Sequence, residues 1–136
     1  MKPSEIPTDV PEPDEVTAAY WAATRRHCLS AQWCVSCAAY QHPPRAVCIN
    51  CSATEQLQQV DLSGRGRVDT FTVVHRSPRP ELDVPYTIAR VRLAEGPIVL
   101  TRLEGATAWA IGDAVEVAWA DLADGRALPI FHPHDG

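Results

Sequence analysis

Four of the five cysteines fall within Cys34–Cys51, as two Cys-x2-Cys pairs, Cys34/Cys37 and Cys48/Cys51, with ten residues between the pairs. Two intervening residues let both sulfurs of a pair face the same way from one tight turn. A second such turn completes a tetrahedral four-thiolate set, which suits zinc. Iron in a knuckle of the rubredoxin kind is the alternative occupant. A segment this short cannot build its own core, so the ion would hold it together. Four sulfurs also leave no open coordination position for water. The expected metal is therefore a structural zinc on Cys34, Cys37, Cys48 and Cys51, not a catalytic one.

The rest of the composition narrows the classes. The net charge is -5, with one lysine against eleven arginines. An acidic balance argues against a nucleic-acid backbone binder, which needs a concentrated basic face. No apolar run approaches the 18 or so residues of a membrane span. The opening residues, MKPSEIPTDVPEPDEV, contain no apolar signal region. The expected compartment is the cytoplasm, with no membrane, and reducing conditions there favour metal ligation over disulfides.

Taken in order, residues 1–13 form an acidic, proline-rich leader that cannot build a core. Residues 14–30 read as one amphipathic helix, Asp14–Leu29, with Val16, Tyr20, Ala23 and His27 at helical spacing. Residues 31–56 hold the cysteine knuckle, stiffened by Pro43 and Pro44. From residue 57 onward the pattern turns to period two: Val60 and Leu62, then VDTFTVV, then Tyr86–Leu93, Ile98–Leu103, Ala114–Trp119 and a last run Leu128–Phe131. Short strands with turn signals every eight to twelve residues predict a small barrel, and five antiparallel strands suit an OB-type one. The expected fold is mainly β: an N-terminal helix, a rubredoxin-like zinc ribbon, then a five-stranded OB-fold barrel.

No catalytic set assembles. There is no phosphate-binding Gly-Lys loop, no nucleophile elbow and no His-Glu-x2-His helix. Cys28 reads as a small core residue at the helix end. His27 and His42 have no carboxylate neighbour in sequence and read as exposed or structural. His132 and His134 read as a solvated tail. His75, after a predicted strand and before Arg76, is the better candidate for a ligand or partner contact. Arg65, Arg67, Arg76, Arg79, Arg90 and Arg92 gather near strand ends and on one strand face. A phosphate ligand would want such groups, and a solvated face paired with acids would hold them too.

The order of these parts resembles the DUF35 family, acyl-CoA-associated OB-fold proteins with a rubredoxin-like zinc ribbon. The resemblance runs over about residues 16–132. It is carried by Tyr20-Trp21, CVSCAAYQHPPRAVCINC, SGRGRVDTFTVVHR, PYTIARVRLAEGPIVLTRLEG, IGDAVEVAW and LPIF. It implies a non-catalytic accessory subunit of a thiolase-fold enzyme. In one branch such a subunit completes a retro-aldolase that cleaves a steroid side-chain CoA thioester with a lipid-transfer-protein-like catalytic subunit, expected as a heterotetramer. In another it accompanies a short-chain thiolase. A free-standing acyl-CoA or nucleotide-binding module is the reading from a different class. All four cysteines are present here, although not every member of the family keeps them. Tyr20, Trp21, His75 and Arg76 are the expected contacts to ligand or partner, being aromatic and arginine anchor types.

Overall fold

The computed structural model describes residues 10–134, so most of the acidic leader lies outside the described residues. The helix α1 spans Ala18–Arg25, two turns rather than four. Asp14 starts the turn that leads into it. Its Oδ1 accepts the N–H groups of Val16 (2.9 Å) and Thr17 (2.8 Å). Those bonds, the one from Thr17 first, hold its carboxyl below the usual range.

The early stop has a physical cause. His27 sits in the left-handed region at φ 54°, and the N–H of Cys28 reaches the carbonyl of Ala23 (3.0 Å) while that of His27 reaches Thr24 (2.9 Å). This pair of bonds is the Schellman closure of a helix C-terminus. It turns the chain so that Leu29, expected at the helix end, is buried at 2% exposure in the barrel core.

The next strand, β1 (Ser30–Cys34), runs straight into the first cysteine. It pairs antiparallel with β2 (Ala39–Gln41) on one side and with β3 (Leu57–Asp61) on the other. The segment expected to open the barrel at residue 57 thus belongs, by its hydrogen bonds, to the ribbon sheet, with order β2-β1-β3. Burial explains the choice. Ser30, Ala31, Gln32 and Cys34 are all buried, so β1 is a central strand that needs a partner on each edge.

The barrel is built from β4 (Arg65–Val74), β5 (Tyr86–Leu93), β6 (Ile98–Leu103), β7 (Ala114–Asp121) and β8 (Ala127–Pro133). It closes in the order β4-β5-β6-β8-β7. The only parallel contact in it, Leu103 with Phe131, joins β6 to β8. Alternation does the sorting that the sequence predicts: Ala89, Val91 and Leu93 point inward while Arg90 and Arg92 point out. Leu29, Val68, Val91, Val115 and Phe131 are each at 2% exposure or less and form the centre of the core. Gly66 lets β4 approach β5 closely, because a Cβ there would lie 2.6 Å from the carbonyl oxygen of Arg92. Two peptide bonds, His42–Pro43 and Val84–Pro85, are cis. Among the described residues no helix is long and apolar enough to cross a membrane.

Candidate metal centre and partner surface

The two knuckles repeat one backbone design. Cys34 ends β1, and the N–H of Ala38 returns to the Cys34 carbonyl at 2.8 Å. Fourteen residues on, the N–H of Ser52 returns to the Cys48 carbonyl at 2.9 Å. Ala38 (φ 53°) and Ser52 (φ 63°) both take the left-handed conformation just after the second cysteine of their pair. Such a conformation costs a residue with a side chain about 1–2 kcal/mol, so something in the folded state must offset it twice.

The sulfurs show what offsets it. Cys34 and Cys51 Sγ are 3.8 Å apart, Cys37 and Cys48 Sγ 3.7 Å, and all four lie within 4.8 Å of one another. A regular tetrahedron with zinc–sulfur bonds of about 2.3 Å has edges of about 3.8 Å. The set is sized for zinc. The ion would be held by Cys34, Cys37, Cys48 and Cys51, and would supply cross-linking without an open ligand position.

Protonation follows the same geometry. The backbone N–H groups of Cys51 and Asn50, the latter 3.4 Å from the sulfur, draw the Cys48 thiol down to about 6. Cys37 is pushed up to about 12, chiefly by its hydrogen bond to the Cys51 sulfur, then by burial and by its bonds to Cys48 and Cys34. Four sulfurs this close cannot all carry charge alone, and a divalent cation resolves the conflict.

The sequence reading missed the residues that hold the second knuckle in place. Gln32 and Gln41 are register partners on β1 and β2 and both are buried. Gln41 Nε2 donates to Gln32 Oε1 (2.8 Å) and to the carbonyl of Val47 (3.1 Å). Gln32 Nε2 donates to the Arg45 carbonyl, and its Oε1 accepts the Arg45 N–H, each at 2.9 Å. Gln41 Oε1 accepts the N–H of Ile49 at 3.0 Å. Two amides thus satisfy the backbone of residues 45–49 on both sides of Cys48. Their only signal in sequence is polar residues inside strands that lead into or out of a ligand turn.

The other candidates are scattered. Tyr20 is half-buried and meets Trp21 edge-on at 5.4 Å and His42 at 5.6 Å. Burial pushes its hydroxyl up to about 12. Trp21, expected on a docking face, is buried inside the chain, with the Arg126 guanidinium 4.5 Å above its ring. His75 and Arg76 are exposed in the loop between β4 and β5. Cys28 is half-buried, and desolvation raises its thiol, so it is no activated nucleophile. His27 does gain a carboxylate, Asp121 Oδ1 at 2.6 Å, and stacks on Trp119. His134 is not a solvated tail: its Nδ1 lies 2.9 Å from Glu116 and its N–H bonds Ala114.

Exposed apolar side chains crown the ribbon. Val35 (50% exposed), Ile49 (62%) and Val47 (39%) stand inside or beside the two Cys-x2-Cys turns. Three exposed apolar side chains this near in sequence to the ligand turns are candidates for a contact surface, since contiguous exposed apolar patches mark interaction sites.

Comparison with known proteins agrees with this build. Residues 21–56 match the family model of the ChsH2 rubredoxin-like zinc ribbon domain, and residues 59–120 that of the ChsH2 C-terminal OB-fold domain. A solved structure described as an Ltp2-ChsH2(DUF35) aldolase superposes on 91% of this chain and 98% of its own, with TM-score 0.81 and 30% identity. A DUF35 domain-containing scaffold protein of Methanocaldococcus jannaschii is 34% identical over 61% of this chain. The 3-oxo-4,17-pregnadiene-20-carboxyl-CoA hydratase alpha subunit of Mycobacterium tuberculosis is 33% identical over 90% of it. The chain spans 60% of the archaeal relative's length and 42% of the mycobacterial one's. With its zinc ribbon, its closed five-strand barrel and these matches, the chain belongs to the DUF35 family.

Proposed function

We propose that this chain is a non-catalytic accessory subunit of a thiolase-fold enzyme that breaks a carbon–carbon bond in an acyl-CoA. The observation that carries the reading is the likeness to the aldolase subunit over 98% of that chain. The name of the mycobacterial relative, a hydratase subunit, favours a steroid side-chain CoA thioester as the substrate class, and the aldolase title of the matching structure favours a retro-aldol cleavage. The catalytic base or nucleophile then sits on the lipid-transfer-protein-like partner, in a heterotetramer. This chain supplies shape and positioning. In support, the described residues offer a closed metal set, a raised and half-buried Cys28 and dispersed histidines. We assign contacts with partner or substrate to Tyr20, His75 and Arg76, joined by the exposed Val35 and Ile49. The working compartment is the cytoplasm, where thiolates persist for zinc.

Co-expression with a thiolase-like protein of the same organism tests this. The expected result is a co-purifying complex whose cleavage of the thioester needs no free CoA. Cleavage that requires free CoA would replace the retro-aldol reading with a thiolytic one. A stable lone chain that never co-purifies would sink the accessory role.

A further inference from the structure

Two arginines face each other across a strand pair. Arg67 on β4 is the register partner of Arg92 on β5, and Arg65, two residues along β4, shares their outward face. Like charges directly opposite on a sheet are destabilising. The chain has 17 acids for 12 Lys and Arg, so acids were available to interleave. Those nearby are only loosely or otherwise engaged. Asp69 stands 4.0 Å from both Arg90 and Arg92. Glu116, the register partner of Arg65, is taken by His134 at 2.9 Å.

These arginines are placed but not saturated. Arg67 Nη1 donates to the Gly112 carbonyl (3.0 Å) and Arg92 Nη1 to that of Gly96 (3.3 Å). Each guanidinium has five N–H donors, so donors remain free on both. The Arg65 guanidinium has no partner among the described residues. The three help line a cavity of about 330 Å³, together with Gly66, Leu93, Ala94, Ala114 and His134. Its size falls at the low end of small-molecule sites, roughly 300–1,000 Å³.

We propose that this cavity binds a phosphate-bearing anion. The planar fork of arginine matches phosphate oxygens two at a time, and three such forks around one cavity suit a multiply charged oxyanion. A bound anion would also offset the repulsion that the Arg67–Arg92 pairing builds in. The phosphate could come from a free polyphosphate or from the nucleotide end of a coenzyme thioester. The second source rests on the function proposed above; the anion site itself does not.

Calorimetric titration of the zinc-loaded chain with inorganic pyrophosphate, and separately with adenosine 3′,5′-bisphosphate, tests the site. We expect one saturable site whose affinity falls with added salt. Arg67→Gln/Arg92→Gln should weaken it at least about tenfold, while Arg45→Gln, on the ribbon loop, should leave it unchanged. If the double variant fails to fold, Arg92→Lys keeps the charge, loses the fork and should bind at intermediate strength. Equal binding of both compounds supports an anion site of general phosphate chemistry. Preference for the bisphosphate supports it and points to the coenzyme. No saturable binding below about 10 mM, or binding by the double variant as tight as by the parent chain, overturns it. No partner protein is present in this titration. Its failure therefore leaves the accessory reading to co-purification, and failure of co-purification leaves the site standing.

Discussion

Arg126 is the most deeply buried charge in the described chain, at 3% exposure. It joins three parts of the molecule at the turn between β7 and β8. Its guanidinium carbon lies 4.5 Å above the Trp21 ring of α1. Its Nη1 donates to the Pro11 carbonyl at 2.7 Å, and its Nη2 pairs with Asp124 at 2.8 Å. Beside it, the N–H of Ala127 reaches Thr24 Oγ1, and that hydroxyl donates to the Trp21 carbonyl. Arg126→Ala removes a desolvated cation–π contact, about 0.5–2 kcal/mol, and a charge-assisted hydrogen bond, about 1.5–3 kcal/mol. Asp124 is half-exposed, so solvent screens its pair and we leave it out of the sum. The expected loss is about 2–5 kcal/mol, a large share of a typical net stability of about 5–15 kcal/mol. Urea denaturation of the zinc-loaded protein, followed by far-ultraviolet dichroism, measures it. In a Trp21→Leu background the loss should shrink by the cation–π share. A loss under about 1 kcal/mol, or one that Trp21→Leu does not change, would refute the view that this clamp sets the helix on the barrel.

Three further outcomes follow from the same geometry. Metal analysis should find about one zinc per chain, and Cys48→Ser should lose it and melt well below the parent; retained stability without metal would count against a structural ion. Burial lowers the His42 pKa, so the folded state disfavours its charged form. Wild-type stability should then fall as pH drops below the ordinary histidine value of about 6.5, while His42→Phe at saturating zinc should lack that component; parallel pH profiles would contradict it. Gly66→Ala puts a methyl 2.6 Å from the Arg92 carbonyl oxygen and 2.8 Å from Val91 Cγ1. A backbone atom cannot swing away, so denaturant melts should show a loss of about 1–3 kcal/mol, and a neutral effect would mean that β4 and β5 can part.

Local chemistry was legible in the sequence, and long-range partnership was not. The zinc set could be read because two residues between cysteines fix the geometry by themselves. The barrel strands could be read because one face is buried and one is wet, as in Ala89, Val91 and Leu93 against Arg90 and Arg92. The helix length failed because a left-handed histidine, His27, carries no glycine signal. Strand β1 stayed hidden because SAQWC is polar at two positions, and its glutamine, Gln32, is buried against the Arg45 backbone and Gln41 of β2. The Arg126–Trp21 clamp and the His27–Asp121 pair join residues about a hundred positions apart, and nothing in local composition marks them. The same holds for Arg67 against Arg92, whose meaning depends on register.

The central claim is that this chain shapes an enzyme whose chemistry resides elsewhere, and reconstitution addresses it most directly. The thiolase-like partner, purified alone, is mixed with increasing amounts of this chain and a steroid side-chain CoA thioester, and cleavage is followed by product analysis. The account predicts little cleavage by either protein alone and a rise of at least about tenfold on mixing. That rise should saturate at a fixed stoichiometry and survive Cys28→Ser in this chain. Full activity of the partner by itself, or cleavage by this chain by itself, would contradict it.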